Sequence, residues 1–208
     1  MYILAINLGS TSSKYAVYQD TEAVFVETIR HPKEELAPFP DIISQKEYRR
    51  KAVLDGLKAK GFDIKALGAI VARGGLTRPL SGGTYVIDSS MLDALRDPKA
   101  AKHASSLSGI IAYDIAAELA LPAYTVDPVV TDELEPLARV SGYDGIERVS
   151  IFHALNQKAV ARAAAKQLGR KYEELNLIVS HMGGGVSVGA HRGGRVIDVN
   201  NCLDGDGP

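Results

Sequence analysis

Twice along these 208 residues an apolar, β-prone run breaks at a glycine-bearing turn and resumes as a second apolar run. First comes Met1-Tyr2-Ile3-Leu4-Ala5-Ile6, then a Gly/Ser/Thr turn over 8–14, then Tyr15-Ala16-Val17-Tyr18, with Ala23-Val24-Phe25-Val26 as a third strand. Near the other end, Leu177 to Ser180 leads into Gly183-Gly184-Gly185, and Val186 to Ala190 follows. A Gly193-Gly194 hairpin then leads into Arg195 to Val199. Strand–turn–strand units that recur with helices between them predict an α/β chain of two similar lobes rather than a single doubly wound sheet. The lobes are expected at 1–150 and 151–208, each supplying one phosphate-facing turn, so that a phosphate is clamped between them.

The intervening pattern is helical and stranded by turns. Ser44 with Glu47 three residues on has the form of a capping box ahead of Tyr48, Ala52 and Leu57, and Gly61 stands where that helix would stop. Strands are predicted over 67–72, 84–87 and 124–126. Helices are predicted over 105–121, with Ile110, Ile111, Ile115 and Leu119 inward, and over 153–168, closed by Gly169.

Charge excludes one group of partners. Lys and Arg number 24 against 25 Asp and Glu, so no basic field gathers nucleic acid or an anionic membrane surface. Cys202 is the only cysteine, which rules out an internal disulfide framework and suits a reducing, cytoplasmic setting. The apolar start lacks a basic flank and is stopped by Asn7 and Gly9, which fits a first strand and not a signal peptide or a membrane span.

The two turns carry the chemistry. In Asn7-Leu8-Gly9-Ser10-Thr11-Ser12-Ser13-Lys14, glycine allows close approach of the backbone, hydroxyls and amides can bond phosphate oxygens, and Lys14 adds charge. The same residues would equally make a tight turn whose hydroxyls cap local backbone groups. In His181-Met182-Gly183-Gly184-Gly185-Val186-Ser187 three glycines suit direct contact between amides and phosphate, and a bulge or hinge is the competing reading. No Walker pattern and no strand-linked G-x-G-x-x-G is present, so the common nucleotide-binding fingerprints do not apply.

Residues 3–14 and 177–188 both resemble motifs of the acetokinase family. Val126-Asp127-Pro128-Val129-Val130, Val149 to Lys158, Arg73-Gly74-Gly75-Leu76 and 199–208 resemble the butyrate kinase form more than the acetate kinase form. The resemblance implies an actin-like ATPase fold of the sugar kinase, Hsp70 and actin kind, with duplicated ribonuclease-H-like lobes. It implies ATP and Mg2+ as cofactors, reversible phosphorylation of butyrate or a branched analogue to its acyl phosphate, and assembly into a homo-oligomer. Acetate or propionate as the acceptor, and a non-catalytic actin-like ATP-binding protein, are the alternatives.

By the same resemblance, Asn7, Gly9, Ser10, Thr11, Ser12 and Lys14 hold phosphate, as do Gly183, Gly184 and Gly185. Asn7 and Asp127 serve the metal. His153, His181 and, from the entry to the 105–121 helix, His103 face the phosphoryl group, and Arg73 holds the substrate carboxylate with Arg78 as its substitute. The sequence departs from the acetate enzymes at Ile70, where they carry arginine, and at Arg73 and Gln157, where they carry histidine. Gly184 stands where they carry asparagine, which implies an altered acyl pocket. Asp204 and Asp206 read as turn caps or metal ligands. The family supplies a further arginine, an adenosine loop and a closing helix after this point, so a second lobe present only in part is expected, and with it a chain inactive by itself.

Overall fold

The computed structural model describes residues 1–97, 100–183 and 185–203. These fall into two compact units, one formed by 1–77 with 84–126 and the other by 78–83 with residues from 127 onward. The expected boundary at 150/151 lies inside the second unit.

Strands β1 (Tyr2–Leu8), β2 (Ser12–Gln19) and β3 (Glu22–Arg30) form the expected antiparallel meander. A four-residue turn of helix, α1 (Lys33–Leu36), and then α2 (Lys46–Ala59) follow. The expected capping box is absent. Ser44 sits in a 3-10 turn and bonds Asp41 instead, its Oγ donating to the Asp41 carbonyl, so the 3-10 turn delivers the chain into α2 with no side-chain cap. The far end behaves as the sequence indicates: Gly61 takes φ 69°, and the Gly61 and Phe62 amides bond the Lys58 and Leu57 carbonyls.

Strand β4 (Leu67–Ala72) lies parallel to β1. After β5 (Thr84–Val86) come α3 (Ser89–Arg96), α4 (Ala104–Glu118) and β6 (Ala123–Val126). The sheet order is β3-β2-β1-β4-β6-β5, with β6 parallel to β4 and β5 antiparallel to β6. Helix α4 is buried almost all round, which is why its apolar residues do not keep to one stripe. Leu107, Ile110, Ile111 and Ile115 join Leu4, Ile6, Leu8, Ile70, Val53 and Leu57 in one core.

In the second unit, α5 (Ala154–Gln167) precedes a three-stranded antiparallel sheet of β7 (Asn176–Met182), β8 (Val186–Arg192) and β9 (Arg195–Val199), in the order β7-β8-β9. Gly193 and Gly194 both take positive φ, as a two-residue hairpin of this twist requires. Two small apolar clusters hold the unit, one around Phe152 and Val196 and the other around Ala161, Ala165, Tyr172 and Val179. A buried ion pair adds to them. Lys158 Nζ lies 2.8 Å from both oxygens of Glu133, which also accepts the Val196 amide at 2.8 Å and the Gly82 amide at 3.0 Å. Burial pushes the Glu133 carboxyl up, but Lys158 and the two amides outweigh it and hold the carboxyl below its usual range. The 78–83 strap enters this unit through Gly82 and through Gly83, whose amide donates to Asp127 Oδ1 and whose carbonyl accepts the Asp127 amide. Among the described residues no helix is long and apolar enough to cross a membrane.

Candidate functional site

The first unit shapes the 9–12 turn from below. Arg49, on α2 and fully buried, donates through its guanidinium to the carbonyls of Gly9 at 2.8 Å, Ser10 at 2.6 Å and Ser12 at 3.1 Å, while Gln45 Oε1 accepts its Nε at 2.8 Å. The Thr11 carbonyl accepts the His31 amide. The carbonyls of Gly9, Ser10 and Ser12 are therefore drawn towards Arg49. Across a planar trans peptide the N–H points opposite to the preceding C=O, so the Ser10 and Thr11 amides face away from Arg49. Asn7 and Lys14 are register partners of β1 and β2 and emerge exposed on one face, while Ser10 and Thr11 are exposed at the tip. Ser13 turns inward and bonds His31 Nε2 at 2.8 Å, and Tyr48 bonds the other nitrogen of that ring.

Arg73 follows β4, its amide held by the Ile6 carbonyl. Two residues on, Gly75 lies against the first turn of α4, where a Cβ would stand 2.5 Å from Ser106 Cα. His103 is the N-cap of α4 and bonds Ser105. Burial lowers its proton affinity first, and the neighbouring Arg73 charge lowers it further, so His103 is a neutral ring beside a cation. The first unit thus brings Arg73 and His103 together. Arg78 is exposed and belongs to the strap of the second unit.

The second unit stacks the His153 and His181 rings, with centroids 3.7 Å apart and planes 8° from parallel. His153 caps the entry to α5 and lies against Gly185, where a Cβ would be 3.3 Å from its Cε1. His181 is the penultimate residue of β7 and stands 3.2 Å from the corresponding point on Gly183. The glycines leave the room in which both rings sit. Asn156 Nδ2 donates to His181 Nδ1 at 3.0 Å, so Nδ1 is the accepting nitrogen and the ring proton sits on Nε2. Gly184, Asp204 and Asp206 lie outside the described residues.

Asp127 has a fully buried side chain and a left-handed backbone, φ 39°. One of its oxygens accepts the Gly83 amide at 2.9 Å and the other faces Arg162 Nη1 at 3.1 Å. Among the described residues no group of three or more His, Cys, Asp or Glu side chains could hold a metal ion. Asn7 offers a single exposed amide and the Asp127 carboxylate is already committed, so these residues do not fit a protein-built magnesium site.

Sequence reasoning missed Arg49, which reads there as one more charged residue on a helix. The signal that could have found it is its place on the buried stripe with Val53 and Leu57, at i, i+4 and i+8, where a cation needs partners.

The sequence pattern of the Acetokinase family matches residues 138–204, a stretch that contains His153, Gln157, His181 and the triple glycine. The acetate kinase of Porphyromonas gingivalis superposes with a TM-score of 0.66 at 16% identity, over 97% of this chain and 57% of that one. The propionate kinase of Francisella tularensis subsp. tularensis SCHU S4 gives 0.67 at 18%, over 97% and 57%. The acetate kinase of Entamoeba histolytica gives 0.63 at 18%, over 97% and 55%. The chain therefore spans little more than half the length of the structures it matches. It has the mixed α/β fold of these kinases, and its second unit carries the acetokinase pattern.

Proposed function

We propose that this chain acts in an ATP-dependent carboxylate kinase of the butyrate kinase type, phosphorylating butyrate or a branched short-chain acid. The observation that carries the reading is the stacked His153–His181 pair beside Gly183 and Gly185, inside the segment that matches the Acetokinase pattern. In this reaction an acyl oxygen forms a bond to the γ-phosphorus while the bond from that phosphorus to the bridging oxygen breaks, and the electron pair leaves with ADP. The carboxylate is already a nucleophile, so the protein's task is to align the reactants and to neutralise charge on the moving phosphoryl group.

The donors suit that task. Ser10 and Thr11 offer amides and hydroxyls, Lys14 offers a cation, and His181 offers an Nε2–H. Arg73, beside His103, is the candidate for a bidentate grip on the acid. Magnesium would arrive on the phosphates of ATP. Work in the cytoplasm as a homo-oligomer belongs to the same reading.

Trapping acyl phosphate as hydroxamate, with butyrate, isobutyrate, propionate and acetate in parallel, tests it on a sample whose intact mass is known. Product with butyrate or isobutyrate in excess of acetate supports the butyrate type. A preference for acetate or propionate assigns the alternative acceptor, and turnover of ATP without any acid refutes a carboxylate kinase.

A further inference from the structure

Strand β8 presents Ser187, Gly189 and His191 at alternate positions on its buried face, and α5 presents His153 and Gln157 one turn apart. These two periodicities make a line of contacts. Ser187 Oγ lies 2.9 Å from His153 Nδ1 and 2.9 Å from Gln157 Nε2. Gln157 Oε1 lies 2.9 Å from His191 Nε2, and the Tyr172 hydroxyl lies 2.6 Å from His191 Nδ1. Tyr172, His191, Gln157 and Ser187 are all buried. Gly189 leaves room for the Gln157 amide, since a Cβ there would stand 2.4 Å from Gln157 Oε1 and would displace it.

The direction of each bond follows from one fixed point. The Ser187 carbonyl, which can only accept, lies 3.1 Å from the Gln157 amide, so the atom facing it is the NH2 nitrogen. Gln157 Oε1 therefore faces His191 and accepts from it, which puts the His191 proton on Nε2 and leaves Nδ1 to accept the Tyr172 hydroxyl. At the other end Ser187 Oγ accepts from Gln157 Nε2 and, at 3.4 Å, from the His153 amide. Its own hydrogen is left for His153 Nδ1.

We propose that this one-way chain, from Tyr172 through His191, Gln157 and Ser187, holds His153 in the tautomer with its proton on Nε2, making these four positioning residues for His153. That His153 then offers its N–H to a transferring phosphoryl group rests on the kinase reading; the tautomer itself does not. Burial, with the Lys158 charge outweighing that of Glu133, pushes His191 down to about 4, and burial raises the Tyr172 hydroxyl above its ordinary value. Both members stay neutral at physiological pH, as the direction of the chain requires.

Long-range proton–nitrogen NMR of the labelled protein reads each imidazole separately, and five histidines keep the spectrum tractable. A His153→Gln variant assigns the resonance. The expected result is a neutral His153 protonated at Nε2 alone. Ser187→Ala deletes the hydroxyl with little change of volume, and should raise the Nδ1–H share about fivefold, the ratio change that one net hydrogen bond supports. A Gln157→Leu variant should move His153 the same way with Ser187 intact. A parent protein showing Nδ1–H at His153, or a Ser187→Ala protein still wholly Nε2–H, overturns the proposal. If no acid is phosphorylated while these spectra behave as expected, the kinase reading falls and the chain of bonds stands.

Discussion

Replacing Arg49 tests how far a helix side chain governs the first glycine turn. Arg49→Met keeps the length and the apolar stem but removes four hydrogen bonds, three of them to the carbonyls of Gly9, Ser10 and Ser12. Each buried acceptor left unpaired costs about 1–3 kcal/mol. Water reaches the exposed tip at Ser10, and methionine spares the cost of burying a guanidinium, so the net loss should settle near the low end, about 3 kcal/mol in all. Arg49→Lys keeps the charge without the planar fork and should lose about half as much. Urea unfolding followed by circular dichroism gives the stability, and titration with ATP gives the affinity of the turn. With the carbonyls free to rotate, the Ser10 and Thr11 amides lose their shared direction, and affinity should fall about tenfold, equivalent to one charged hydrogen bond. An Arg49→Met protein as stable as the parent and binding ATP equally well would refute the reasoning.

Lys158→Met leaves Glu133 buried without its cation and should cost about 3–5 kcal/mol, whereas the double variant with Glu133→Gln should recover part of that loss; both are read by urea unfolding. His191 gives a pH signature. The unfolded ring takes its proton near pH 6.5 and the folded ring only near about 4, so unfolding binds a proton between those values. Stability should be constant on this account above pH 6.5 and fall by about 3 kcal/mol as the pH drops to 4, a slope that His191→Gln should flatten. Gly75→Ala, with its Cβ 2.5 Å from the Ser106 backbone, should lower the melting temperature by several degrees, about 2 kcal/mol or more, and should weaken any carboxylate binding that depends on Arg73. Gly189→Ala should disturb the His153 imidazole resonance even where the fold persists, because its Cβ would stand where Gln157 Oε1 lies.

Alternation and glycine placement made much of the architecture readable. The two meanders, the helix ends at Gly61 and Gly169, and the Gly193-Gly194 hairpin all follow from local rules that tertiary contacts did not override. The capping box at Ser44 and Glu47 did not form because Asp41 offers Ser44 a nearer partner. The stacking of His153 on His181 was not legible, since it joins an N-cap residue to the penultimate residue of a strand 28 positions later through two glycines. Gln157 stood out only as a departure from a family histidine. Its partners Ser187 and His191 lie on another element, and no local pattern links them to it.

The strap of residues 78–83 bears on the order in which the protein assembles. Every strand and helix of the first unit precedes Asp127 in the chain, so that unit can be complete while the rest is still being made. Pairing of Thr84 with Val126 in the β5–β6 ladder would then set Gly83 beside Asp127, closing the long intervening loop ahead of the second unit. Gly82 must meanwhile wait with its amide undocked until Glu133, Lys158 and Val196 are in place. Pulse-labelled hydrogen exchange should therefore find the β5 and β6 amides protected before that of Gly82, which makes the strap a clock hand for the second unit's arrival.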